Sequence, residues 1–520
     1  MSVRNGIVLF LALSTLALLL ACGGYSSPKV QPPPSGGFSN SNLNGTYVFS
    51  STGSDFNGGF LATAGALVAN GSGTITGGTM DLVGTNVIQS GTVAQSITGS
   101  YSVGVDGRGQ ATVISSAGTI KFDFVLTSSS HGLITEFDGN GSGSGTLDLQ
   151  TAVTSLSQLQ GPYAFSLSGV DATGNADATA GAFTLDGAGN ITVGVQDFND
   201  NGLPYLNLTV TPVNPAVLGT GTGPGTIKLN TSTFNTLTFD FYPIDATRWK
   251  LIETDTSPIL VGDVSTQTGA SIPTGQMVFT MAGVDSFGPV AAGGVMTSDG
   301  TGNFTAGLED LNDAGTVSQA QLSFTGTAVA GGPGVGGRLI VNLAGFSPAT
   351  QIVIYPSSEG LLTLETDTAA LAAGAAFAQK STTLAASQGY GLNLSAINIP
   401  GNFAAPFEED DIAEFVTTSS GFSGIVDLND QGSPTFKQKF TGTYPFAIDS
   451  TGRGGANTNY FNYYFYDVDG STFLLLEVDS NQIGVGTFQL QTTPAAGAAQ
   501  PAIPMFRPAV RTHAALRRKQ

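Results

Sequence analysis

Apolar and polar side chains alternate with period two along most of the chain, as in residues 163–168, where Tyr163, Phe165 and Leu167 share one side. That period belongs to strands with one face in a core. Turn-forming clusters break the alternation roughly every 8 to 15 residues, a rhythm of many short strands. Residues 181–197, GAFTLDGAGNITVGVQD, read as a hairpin with its turn at 186–189, and SDGTGNFT repeats that turn from Ser298. Asp and Gly tolerate the positive φ that tight hairpins require. Residues 239–255, FDFYPIDATRWKLIETD, read as a second hairpin with Pro243 in its turn.

The pattern repeats. GTYVFSSTG at Gly45 returns as GPYAFSLSG at Gly161, GQMVFTMAG at Gly275 and GYGLNLSA at Gly389, in steps of 116, 114 and 114 residues. Each copy then has an apolar strand ending in an acidic pair: Glu136 and Asp138, Glu253 and Asp255, Glu365 and Asp367, Glu477 and Asp479. Fourteen residues after each Glu stands a Gln: Gln150, Gln267, Gln379 and Gln491. Four equal offsets define a tandem array of residues 43–150, 159–267, 273–379 and 387–491. With seven or eight strands per copy and no amphipathic helix, the expected fold is all-β. Four antiparallel meander domains of about 110 residues are expected, as small up-and-down barrels or, alternatively, β-sandwiches. Each copy carries its own strand and turn signals and is expected to fold as a separable unit.

In rhythm, the first copy resembles the streptavidin-like and lipocalin-like up-and-down barrels. No binding residue carries over, because the pockets of the former rest on several tryptophans and this chain has only Trp249.

Residues 1–22, MSVRNGIVLFLALSTLALLLAC, combine a positive start at Arg4 with an apolar run too short to span a bilayer. The run ends in Leu19, Leu20, Ala21 and Cys22, which resembles the lipobox of bacterial lipoproteins. That resemblance implies a signal peptide over 1–21, cleavage before Cys22 and acylation of Cys22. Cys22 is also the sole cysteine, so it staples nothing. Two or three acyl chains would anchor the protein stably. Gly23 and Gly24 follow, with no Asp, which in that family implies sorting to the outer membrane of a two-membrane cell, facing periplasm or exterior. Residues 22–42 then form a Gly-, Ser- and Pro-rich tether.

Composition narrows the function classes. A net charge of −20 argues against nucleic acid as a partner, since phosphate binding rests on clustered Lys and Arg. Positive charge gathers instead in residues 492–520, a basic tail read as disordered. With His131 and His513 the only histidines, no zinc site or Ser-His-Asp triad can be built in each copy. Residues 332–337, GPGVGG, fit a dinucleotide motif by letter but lead into a strand, where that motif needs a helix.

Two acidic patterns remain. The loops QDFNDNG, EDLNDAG and VDLNDQG, with Asp197, Asp310 and Asp427, match the first half of a calcium loop. Leu208 stands where such a loop needs its bidentate Glu, so a turn between strands is the preferred reading and no metal or cofactor is expected. The Glu-x-Asp pairs are the best candidates for paired carboxylates, yet neighbours on one strand end rarely frame a substrate. A structural contact, with each Glu accepting hydrogen bonds from a neighbouring loop, is expected. In NYFNYYFYD from Asn459, one face should be core; the other, with Tyr460, Tyr464 and Tyr466, could stack on a sugar or a partner chain. The resulting expectation is a non-catalytic, lipid-anchored envelope or cell-surface protein with a structural, adhesive or binding role. Its partners would be the membrane, through Cys22, and glycans or envelope proteins. The alternatives are a carrier of small apolar ligands and, further off, a glycan-processing enzyme.

Overall fold

The computed structural model describes residues 37–492 except 88–92, 256, 270, 319, 330–333, 347–349 and 401–404. Each copy is an antiparallel meander of eight principal strands. Barrel 1 runs from Asn44–Asp55 to Gly141–Leu149, barrel 2 from Gly161–Val170 to Ile259–Thr266, barrel 3 from Gly275–Asp285 to Ala370–Ala378, and barrel 4 from Gly389–Asn398 to Gln482–Leu490. Barrels 1, 3 and 4 close, while barrel 2 stays open between Leu203–Thr209 and Gly225–Thr231, crossed only by bridges at Thr211–Asn230 and Val217–Thr226. The meander is therefore a barrel and not a sandwich. Pro243 is the last residue of its strand, paired with Trp249, so the turn lies one step later; at a strand end proline forfeits no needed ladder bond.

Alternation fills the interiors with side chains. Barrel 2 packs Tyr163, Phe165, Phe183, Phe241 and Trp249 inward, and barrel 4 packs Tyr390, Phe415, Phe465, Phe473 and Phe488. Connecting segments stopper one end: Phe38 and Leu43 in barrel 1, Leu159 in barrel 2, Ile272 in barrel 3 and Leu384 in barrel 4. Barrel 1 keeps a small apolar cavity of about 30 Å³ among Phe49, Tyr101, Phe122 and their neighbours.

The outward positions are apolar as well, which the expectation of separable units did not foresee. In barrel 2, Ala176, Ala178, Ala180 and Ala182 face out and join one cluster with Val353, Tyr355 and Leu364 of barrel 3, and this cluster continues through Val278 and Ala291 to Tyr466 and Leu476 of barrel 4. Barrel 1 places Ala62, Ala64 and Ala66 against Tyr242, Ile252 and Val261 of barrel 2. Ile412 of barrel 4 packs on Val125 and Leu133 of barrel 1. The first two strands of each copy thus meet the last strands of the next, and the fourth copy meets the first. The four barrels form a closed ring.

Contacts at both ends set its polarity. At the end where chains enter and leave, Gln150 donates to the Pro243 carbonyl (2.7 Å), Gln379 to those of Thr451 and Asp467 (2.9 and 3.0 Å), and Gln491 to those of Asp106 and Leu126 (2.8 and 3.0 Å). The fourth, Gln267, forms a bridge to Ser357. The Gln at its fixed offset docks each copy onto the next. At the opposite, hairpin end a second set of contacts runs the same way round, so the barrels stand side by side and parallel.

Candidate functional site: the joints between barrels

The acidic loops build the joints. Each strand that ends in Asn-Asp carries an Asp and, two residues on, an Asn on its outward face, and period two aims both at the next barrel. Asp197 accepts from Arg338 Nε and Nη2 (2.6 and 2.7 Å) and from the Tyr355 hydroxyl, all of barrel 3. Asp310 accepts in the same way from Arg453 (2.6 and 2.7 Å) and from Tyr466 (2.8 Å) of barrel 4. Asp427 receives Arg108 Nη1 of barrel 1 at 2.8 Å, with Val125 where the Tyr would stand. In the first copy Asp81 takes Tyr242 Oη at 2.7 Å, with Pro224 where the Arg would stand. Burial and the Asp197 carboxylate together push the Tyr355 hydroxyl far above its ordinary range, and Tyr466 behaves likewise beside Asp310. A planar guanidinium held bidentate fixes orientation as well as contact.

The Asn reads backbone. Asn199 Nδ2 donates to the carbonyls of Glu365 and Ala370 (both 2.9 Å), Asn312 to those of Glu477, Asp479 and Gln482 (3.1, 3.1 and 2.9 Å), and Asn429 to those of Glu136 and Gly141 (both 2.8 Å). Asn201, Ala314 and Gln431 take positive φ in the turn that follows, each before a glycine that does the same. Two of the side chains considered for calcium are engaged: both oxygens of Asp197 hold Arg338, and the Asn199 oxygen accepts from the Gly202 amide at 2.8 Å, whereas the Asn201 side-chain oxygen has no hydrogen-bond partner. Among the described residues no group of three or more His, Cys, Asp or Glu is placed to hold a metal ion.

The Glu-x-Asp pairs divide their work. The Asp accepts from backbone amides across the hairpin: Asp138 from Lys121 (2.8 Å), Asp255 from Thr238 (2.6 Å), Asp367 from Gln351 (3.0 Å) and Asp479 from Asn462 (2.8 Å). The Glu points into its barrel near the hairpin end and is buried. The amide across the hairpin is bound by the Asp in all four copies, while Glu477 accepts the expected loop hydrogen bond, from the Asp479 amide at 2.8 Å. Desolvation first, then Asp138 and the facing Asp410 and Glu408, raises Glu136 to about 8. Glu365 is raised to about 8 by the same first cause and then by Asp367; burial first, and then Asp255 and Asp479 respectively, raise Glu253 and Glu477 well above the ordinary range as well. A carboxyl with such a shift is held neutral in the interior. Beside Glu253, Asp177 is likewise buried and raised.

The joint from barrel 4 to barrel 1 differs in kind. Where the other copies present uncharged, mostly small residues (Phe60, Ala62, Ala64 and Ala66 in barrel 1), its strand Phe407–Thr417 presents Glu408, Asp410, Ile412 and Glu414. Serines of barrel 1 answer them: Ser142 and Ser144 each donate to Asp410 at 2.6 Å, and Ser54 donates to Glu408. Asn393 adds a bond to Thr135 at 2.8 Å.

The remaining candidates fall into place around this ring. Cys22 and the basic tail from residue 493 lie outside the described residues. Phe461, Tyr463 and Phe465 fill barrel 4. On the other face Tyr466 serves the joint, Tyr464 lies 4.1 Å under the Arg453 guanidinium, and Tyr460 is exposed. His131 bonds Asp148 at 2.8 Å; burial opposes that carboxylate's charge, but His131, Lys250 and Arg248 outweigh it and hold Asp148 at about 2. The joint arginines and Tyr242 and Tyr355 were missed in the sequence, where Tyr466 stood out only as a stacking candidate, although an Arg recurs at the same register in three copies as Arg108, Arg338 and Arg453. No protein-family model matches this chain, and no curated protein matches its sequence.

Proposed function

We propose that the protein is a lipid-anchored, non-catalytic envelope protein whose ring of barrels serves a structural or adhesive role. The observation that carries this reading is the ring's polarity. The chain arrives at Phe38 on the same end as every connecting segment, so an acylated Cys22 would put the membrane at that end and aim the hairpin end outward. At the outward end Phe56 and Phe287, on turns, and Leu203, at the start of its strand, stand 62%, 78% and 58% exposed, which suits contact with an apolar or glycan surface. The aromatic-packed interiors of barrels 2 and 4 favour this over carriage of a ligand in every barrel, although barrel 3 opens a space of about 320 Å³ among Ile272, Met277, Leu361 and Ala376; the full burial of Glu253 and Glu477 favours packing over glycan chemistry.

The test joins anchor and surface. Metabolic labelling with a clickable fatty acid should mark the wild type and not Cys22→Ser. Surface attachment of cells should fall in a Phe56→Ser, Leu203→Ser, Phe287→Ser variant that melts normally. Attachment unchanged in a strain lacking the protein would remove the adhesive role, and an unlabelled wild type would remove the anchor.

A further inference from the structure

Three joints are backed by a covalent connection between adjacent copies; the joint of barrel 4 on barrel 1 is held by non-covalent contacts between the two ends of the array. It also carries an excess of acid. Barrel 4 contributes Glu408, Asp410, Glu414, Asp427 and Lys437, and barrel 1 contributes Asp106, Arg108 and Asp123, with Asp55, Asp138 and the inward-pointing Glu136 in electrostatic reach behind them. Arg108 divides itself between Asp106 (2.9 Å) and Asp427 (2.8 Å). Asp123 and Glu414 point outward from their barrels into the joint, 3% and 4% exposed, and would meet water if it parted.

We propose that this joint is a releasable head-to-tail latch, and that a released barrel 4 takes barrel 1 of a second copy of this chain in the same geometry. The partner follows from complementarity already on the molecule. The two mating surfaces differ, and each is complete on its own barrel: Asp410, Asn429 and Gln491 on one side, and Ser142, Ser144 and the carbonyls of Glu136, Gly141 and Leu126 on the other. A heterologous interface that closes within one chain can close between chains, giving larger rings or open arrays.

Charge supplies the release. Burial first, and then Asp427 across the joint, raises Asp123 to about 8; burial and then Asp106 raise Glu414 to about 8. Both are raised acids, so the closed joint is favoured while they stay protonated. That advantage is lost as pH climbs through their closed-state values and the opened, solvated carboxylates ionise more readily. Within one chain the surfaces face each other at an effective concentration of roughly millimolar, so a second copy competes only in concentrated protein.

The experiment uses the full chain with Cys22→Ser and a reporter pair, Thr135→Cys and Asn393→Cys, across the joint. Samples go from pH 5 to pH 9 and back, dilute or near millimolar, and are then oxidised. The concentrated sample should give interchain disulfide dimers and larger species, and the dilute one intrachain-linked monomer. Adding Asp123→Asn with Glu414→Gln should keep the chain closed throughout and suppress the dimer band severalfold. As a check independent of the cysteines, light scattering on the parent chain should at least double in mass after the concentrated cycle. No interchain product there, or equal product from the neutralised variant, would overturn the proposal.

Discussion

The joint between barrels 2 and 3 and the joint between barrels 4 and 1 use the same lock on different walls. Both seat an Asp on an Arg and an Asn on the carbonyls of the next hairpin. Around the first lock lie Ala176, Ala178, Ala180 and Ala182, so burial drives the contact and one ion pair sets the register. Around the second lie Glu408, Asp410 and Glu414 with serines opposite, so less apolar surface is buried and the contact depends on hydrogen bonds and protonation. Neighbours in the chain can rest on a permanent apolar seam. The seam that closes the ring is polar.

The largest effect should come from removing a joint arginine. Arg338→Ala leaves Asp197 and Tyr355 buried without their cation, and chemical unfolding at pH 7 should show a loss of about 3 to 5 kcal/mol. Arg108→Ala at pH 5 should cost less, because burial pushes Asp123, Glu414 and its partner Asp427 toward the neutral form. Equal losses would erase the contrast between the joints.

Next comes pH. With Asp123 and Glu414 raised to about 8 when closed, and ordinary carboxylates when open, stability of the ring-closing joint is full in acid. It should fall by roughly 1.4 kcal/mol per pH unit for each of the two groups, from the ordinary carboxylate range up to pH 8. Amide exchange in residues 141–149 and 407–417 should accelerate along this window, while residues 176–185, facing alanine and valine, stay protected. Parallel acceleration in both places would mean that the joints do not differ in this respect.

A smaller effect should follow from Asn312→Ala, which strips a donor from the carbonyls of Glu477, Asp479 and Gln482. A loss of about 1 to 3 kcal/mol is expected, and Asn429→Ala should lose no more, since its amide serves two carbonyls. The smallest effect is that of a calcium chelator. Asp197 and Asp310 already hold arginines, so the melting temperature should stay put, and a drop of many degrees would reassign the loops.

Much of the architecture was legible because strands and tight turns are local. Alternation in residues 181–197, the Asp186 turn and the fixed Glu-to-Gln offset depend on neighbours a few residues apart, and they defined four all-β copies before any contact was known. The site was half legible. Asp197, Asp310 and Asp427 stood out by repetition, but their partners Arg338, Arg453 and Arg108 lie 141, 143 and 319 residues away.

The sequence by itself determined strand period, repeat length and the positions of the acidic turns, all consequences of backbone geometry at short range. Only the tertiary structure decided that Ala178 and Asp410 are interface residues, that Glu253 points inward while Asp255 holds a hairpin, and that the fourth barrel returns to the first. An outward alanine or aspartate looks the same along the chain whether water or another barrel covers it. Its role is set by the surface that meets it, and that surface belongs to a distant part of the chain.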